Sequence, residues 1–230
     1  MARRPAQLVS LPSESSSPAE RLPHLVVPTI GGRARAAVLL LHGGRVRGRS
    51  AVRSSDLPVL RVELLRRDIA DRLAGEGIAT WFLHFRERGW NGDGASAIAD
   101  ARWALDQIAT VYALADKEIP IVVVGHSMGG RAAVHVASHP RAEAIVGLAP
   151  WLPDGEEVAG FAGKRLLIAH GTWDRATSAN ESMRYLERAA ADGAITSFTA
   201  VARVGHAMLR QRRRWNDYVV EAATTARSGA

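Results

Sequence analysis

The sequence predicts an α/β protein, a mostly parallel twisted sheet with helices on both faces. Short runs of β-branched and aliphatic residues alternate with amphipathic segments of helix length along most of its 230 residues. The strand-like runs, such as Ala37-Val38-Leu39-Leu40-Leu41, are apolar throughout, as strands covered on both faces are. Three chemically suggestive segments, around Ser127, Asp174 and His206, each follow directly on such a run. In a parallel sheet that places them together at the carboxyl edge.

Taken in order, residues 1–20 hold Pro5, Pro12, Pro18 and a serine-rich run at 13–17, and read as a flexible N-terminal arm with one edge strand near 7–11. Residues 21–230 read as a single domain. Strands are expected at 37–41, 78–85, 119–124, 144–148, 165–169 and 194–201. Helices are expected at 55–75, where Gly75 and Gly77 close the pattern, and at 96–115, 131–138, 179–190 and 207–223.

Composition narrows the possible functions. The hydrophobic fraction of 47% and charged fraction of 23% are those of a soluble globule with a large core. With no cysteine, a thiolate nucleophile, a thiolate metal site and disulfides are all excluded. No apolar run approaches the roughly 20 residues of a membrane span, and the first residues lack the apolar stretch of a secretory signal, so no membrane insertion and a cytoplasmic location are expected. The net charge of +7 raises the question of nucleic acid. Lys117 and Lys164 are the only lysines, and the sharpest arginine clusters are Arg45, Arg47, Arg49 and Arg53, then Arg210, Arg212, Arg213 and Arg214. Neither cluster has aromatic interleaving or a nucleic-acid-binding motif, so both read as solvated surface and no nucleic-acid partner is expected. The first cluster follows the strand at 37–41 and would put positive charge at the mouth of a site there.

The chemistry centres on Ile121-Val122-Val123-Val124-Gly125-His126-Ser127-Met128-Gly129-Gly130. A β-branched run ending in Gly-x-Ser-x-Gly before a helical segment describes a sharp strand-to-helix turn with one serine at its apex. Gly125 and Gly129, lacking Cβ, let the strand and helix approach closely enough for that turn to close. Ser127 becomes a candidate nucleophile, and the Met128 N–H, at the start of the helix, a candidate oxyanion donor. A serine nucleophile needs a base and a carboxylate to orient it. Asp174, in His170-Gly171-Thr172-Trp173-Asp174, and His206, in Val204-Gly205-His206, both follow strands and supply them. Asp154, Glu156 and Glu157, one strand earlier, are alternative acids. Leu41-His42-Gly43-Gly44 offers the second oxyanion donor from Gly43, Gly44 or Arg45.

The chain order Ser127, Asp174, His206, with Gly-His-Ser-Met-Gly-Gly, His-Gly-Gly, His-Gly-Thr-x-Asp and Gly-His, resembles the α/β-hydrolase superfamily from about Ala36 to Ala223. The resemblance implies an eight-stranded sheet, here shortened at its start, and metal-free Ser-His-Asp hydrolysis without a cofactor. It points to a compact esterase-like member acting on a small-molecule ester or thioester. An acyltransferase using the same acyl-enzyme, or a non-catalytic binding protein on the same fold, are the alternatives. The chain departs from its relatives after the 78–85 strand, where Arg86 to Gly94 replaces the common Arg-Gly-x-Gly-x-Ser. The short connection between Leu148 and Arg165 leaves no room for a lid. Trp90, Trp151 and Trp173 fall in carboxyl-end loops and are candidate substrate contacts. His42 reads as a buried imidazole bonded to backbone, and His126 as a loop brace. His84 and Asp93 stand at another strand end, as pocket residues or solvated loop. His135 and His139, four apart, find no third metal ligand.

Overall fold

A computed structural model describes residues 21–28 and 34–227. The arm expected at 1–20, with its strand at 7–11, lies outside the described residues. The elements are β1 (His24–Val26), β2 (Ala36–Leu41), α1 (Leu57–Gly75), β3 (Ile78–His84), α2 (Ala95–Ala113), β4 (Ile121–His126), α3 (Met128–His135), β5 (Ala142–Leu148), β6 (Arg165–Gly171), α4 (Ala179–Ala191), β7 (Ile195–Val201) and α5 (Arg212–Arg227). They build one seven-stranded sheet in the order β1-β3-β2-β4-β5-β6-β7, parallel except for β1, which pairs antiparallel with β3. The fold is that of the α/β hydrolases without a cap: the chain between β5 and β6 forms neither helix nor strand.

Helices cover both faces, each by its own apolar stripe. Leu105, Ile108 and Tyr112 of α2, Ala133 of α3 and Tyr185 of α4 pack with Leu39, Val123 and Ile145 on one face. On the other, Val62, Ile69 and Leu73 of α1 and Trp215 and Val219 of α5 pack with Val38, Val124 and Val146. β2 and β4 at the centre are buried at every position. Their side chains alternate between the two layers, which is why their sequences are apolar without alternation.

Three elements depart most from expectation, and the first of them, β1, was not expected. β1 is only three residues long, too short for a periodic signal. α3 starts at Met128, because Gly129 and Gly130 are helical despite their composition. α5 starts at Arg212, not 207: Met208 and Gln211 hold left-handed φ values of 57° and 54°, which no helix accommodates.

Candidate active site

β4 ends in the turn that its composition implies. Ser127 sits at φ 55°, ψ −118°, a region rarely adopted by a residue with a side chain. The turn is over-determined by backbone bonds: the Ser127 N–H donates to the Leu148 carbonyl, while the Ser127 carbonyl accepts from the N–H groups of Gly130, Arg131 and Trp151. A Cβ on Gly125 would land on the Gly129 carbonyl, so only glycine lets strand and helix approach this closely.

The loops after β6 and β7 bring their side chains to the same point. His206 Nε2 lies 3.0 Å from Ser127 Oγ, and His206 Nδ1 lies 2.8 Å from Asp174 Oδ2. With Nδ1–H donated to the carboxylate, Nε2 carries the lone pair that accepts the serine hydroxyl. Across the elbow, a Cβ on Gly44 would collide with the Met128 side chain and the Arg88 carbonyl. A Cβ on Gly43 would come 3.3 Å from Ser127 Cβ. Backbone therefore approaches the serine from β2 as well as from α3.

Comparison with known proteins concerns the family and the fold. The family model described as the dienelactone hydrolase family matches residues 66–229. The chain belongs to the dienelactone hydrolase family. Among solved structures, an α/β serine hydrolase homologue from Coxiella burnetii superposes with a TM-score of 0.64 at 14% identity, over 87% of this chain and 90% of that one. A monoglyceride lipase from Saccharomyces cerevisiae gives 0.66 at 11% identity, over 98% and 99%. MGS-M1, an α/β hydrolase from a deep-sea metagenome, gives 0.64 at 16%, over 90% and 99%. At such identities these likenesses concern the fold. A search of curated proteins returned no match.

In this dienelactone hydrolase family member the carboxylate is held more elaborately than its motif suggests. Asp174 Oδ1 accepts the N–H groups of Ala176 and Thr177 at 2.8 and 3.1 Å. Asp174 Oδ2 takes the Thr177 hydroxyl at 3.0 Å beside His206, with the buried His170 Nε2 at 3.4 Å. Burial pushes the Asp174 carboxyl up, but the bonds from His170, His206, Ala176 and Thr177 outweigh it and hold the group well below the usual carboxylate range. Sequence reasoning missed Thr177 and His170. The available signal was an aspartate whose side chain can cap the amides two and three residues on.

The two other histidines of these motifs brace loops, as expected. His126 Nε2 lies 2.9 Å from the His206 carbonyl and its ring is 4.8 Å from the His206 ring. Burial pushes its pKa down to about 3, with His206 beside it adding to the effect, so it stays neutral. His42 Nδ1 lies 2.6 Å from the Gly43 carbonyl, and Nε2 accepts the Phe85 N–H at 3.1 Å, so the ring ties β2 to the end of β3.

Several expectations are corrected. The Arg45 N–H is given to the Arg88 carbonyl at 2.9 Å, which removes it as an oxyanion donor and leaves Gly43 or Gly44. Trp90 is 2% exposed, packed against Arg131, His135 and Trp151, and is core, not pocket wall. Trp173 projects into solvent, 55% exposed. Trp151 borders a cavity of about 460 Å³, shared with Asp174 and Thr177. Glu156 is buried in an ion pair with Arg131 and a bond to His135, Asp154 pairs with exposed Arg184, and the Glu157 carbonyl accepts the Tyr185 hydroxyl. None of the three alternative acids meets His206. Asp93 accepts the Ala95 N–H just before α2, and His84 packs against His24 and Phe82. His135 and His139 take separate carboxylates, Glu156 and Asp106, so they do not form a pair. No cluster of three metal-binding side chains occurs among the described residues.

A second cavity, of about 280 Å³, lies beside Gly43 and Gly44, with Val52, Leu57, Val59 and Arg88 in its wall. Of the arginines, Arg212 pairs with Asp68 on α1, and Arg45 lines this second cavity. No helix among the described residues is long and apolar enough to cross a membrane.

Proposed function

We propose that this chain is a serine hydrolase that cleaves a carboxylic ester of a small molecule, with thioesters as the next class, through an acyl-enzyme on Ser127. The observation that carries the proposal is the unbroken relay of 3.0 and 2.8 Å from Ser127 Oγ through His206 to Asp174. Membership of a hydrolase family supports it.

In the first step Ser127 Oγ attacks the carbonyl carbon as its proton moves to His206 Nε2. Asp174, ionised throughout because its hydrogen bonds favour the anion, orients the imidazole and stabilises its cation. The N–H groups of Met128 and of Gly43 or Gly44 receive the oxyanion. As the tetrahedral species collapses, the carbon–oxygen bond to the leaving group breaks and the His206 proton passes to the departing alkoxide. Water then gives a proton to His206 and attacks the acyl carbon. Breaking that bond returns the proton to Ser127 Oγ and releases the acid.

Two cavities border residues next to the triad: Gly43 and Gly44 line one, Asp174 and Trp151 the other. The one beside Gly43 and Gly44, with Val52, Leu57 and Val59 in its wall, suits the acyl part. The larger one beside Trp151 and Thr177 is left for the alcohol. Ser127→Ala is expected to lower kcat on an activated ester by a factor on the order of 10⁶, since the three residues act as a unit. A folded variant retaining wild-type turnover would refute the assignment.

A further inference from the structure

The region between Trp151 and the start of α4 contains a feature that ester cleavage does not require. Arg131, one turn into α3, sits in the corner between two nearly perpendicular indole rings, its guanidinium carbon 4.2 Å from the Trp90 centroid and 4.4 Å from that of Trp151. Glu156 pairs with the same guanidinium at 2.6 Å and takes His135 at 2.5 Å. The Trp151 N–H is itself bonded to the Ser127 carbonyl, 3.1 Å away. Trp151 is thus fixed on one face by a cation, on an edge by Trp90 and at its backbone by the elbow. Its remaining surface borders the cavity of about 460 Å³.

The other walls of that cavity are polar and small. Arg175, Asn180 and Glu181 stand around it, with Ala176 and Ala179 between them. The side chains of Arg175 and Asn180 make no hydrogen bond or ion pair with the described residues. The walls hold two carboxylates, Asp174 and Glu181, against one guanidinium, which disfavours an anion. The Asp174 oxygens are already taken up by Ala176, Thr177 and His206, so the groups left to a ligand are one cation, one anion and one amide. An alkyl chain would leave these three groups facing carbon, at the cost of their hydration. A neutral ligand with several hydroxyls satisfies them and can lay a face of C–H groups on a rigid indole, which presents large contact area with little entropy to lose.

We propose that this cavity binds the alcohol part of the substrate and that this part is a saccharide, so that the ester is an acylated sugar. The inference rests on the serine-hydrolase reading for its chemistry but not for its binding. Trp151 is the platform, Asn180 with Arg175 and Glu181 supplies the hydroxyl contacts, and Arg131 is a positioning residue that acts through Trp151.

The test uses the full chain carrying Ser127→Ala, so that an ester survives the measurement. Calorimetric titration with a mono-O-acetylated methyl glucoside and with cyclohexyl acetate compares two acetates that differ in hydroxyls. The sugar ester is expected to bind at least about tenfold more tightly. Adding Asn180→Ala, an exposed change that leaves the core alone, should remove most of that preference. Arg131→Met should also remove it, with binding of cyclohexyl acetate unchanged. Equal affinity for the two acetates, or a preference that survives both Asn180→Ala and Trp151→Ala, would overturn the proposal. Equal affinity in the Ser127→Ala chain, alongside a wild-type serine that reacts with a fluorophosphonate, overturns only the saccharide inference. A preference for the sugar ester with an unreactive wild-type serine overturns only the nucleophile reading.

Discussion

A single methyl group at position 125 has nowhere to go. In Gly125→Ala the new Cβ would strike the Gly129 carbonyl, so the elbow must open and carry Ser127 away from His206. Turnover is expected to fall by at least about 100-fold, the scale on which a 1 Å misplacement of reacting groups is felt. A variant with full activity would mean that the turn tolerates a different backbone. Thr177 gives a finer test of the acid. Thr177→Val keeps the shape but removes the hydroxyl bound to Asp174, and losing a buried bond to a charged group should cost about tenfold in kcat. Thr177→Ser should recover it. If valine and threonine give equal kcat, the hydroxyl does not orient the carboxylate. Ser127, Asp174 and His206 were readable because each follows an apolar run in a characteristic short motif. Thr177, Arg131 and the loss of Arg45 as a donor were not, because each depends on which backbone or ring the chain returns to in space.

At the scale of elements, strands β2 to β7 were visible as β-branched and aliphatic runs, and the amphipathic stripes located α1, α2 and α4. Short or unusual segments were not. β1 has three residues, and the start of α5 is displaced by two residues in left-handed backbone whose side chains carry no signal for it. The loop after β3 is another case. It departs from the pattern of its relatives yet is anchored to α2 by Asp100, whose side chain is fully buried and accepts from the Arg86 N–H at 2.8 Å and Nε at 2.6 Å. Burial pushes the Asp100 carboxyl up against these bonds, so the group depends on its partner. Asp100→Ala leaves a half-buried arginine unpaired and should destabilise the fold by about 3–5 kcal/mol. Urea unfolding would show it, and a loss below about 1 kcal/mol would mean that the loop has other anchors.

For the whole molecule, the net charge of +7 says less than the geometry does, and part of it is taken up in the fold: Arg72 with Asp217 and Arg212 with Asp68 hold α5 to α1. The buried histidines predict a dependence of stability on pH. His42 and His126 are pushed down to about 4 and about 3 by burial, from an ordinary value of 6.5. The unfolded chain therefore takes up protons as pH falls below 6.5 while the native state does not. Stability should decline from there toward pH 4, by up to about 1.4 kcal/mol per pH unit for each histidine. Unfolding free energies measured across that range test this, and a flat profile would contradict the buried neutral state of both rings. At this scale the layered fold followed from alternating elements alone, whereas the two cavities depend on which loops meet in space, such as Gly43 and Arg88 in one and Trp151 and Asn180 in the other.

The central claim is that Ser127 is an activated nucleophile. Intact mass after exposure to a fluorophosphonate, on wild type and on Ser127→Ala, tests it most directly. A single adduct on wild type and none on the variant is the expected result. No adduct on folded wild type, or equal labelling of both proteins, would contradict it.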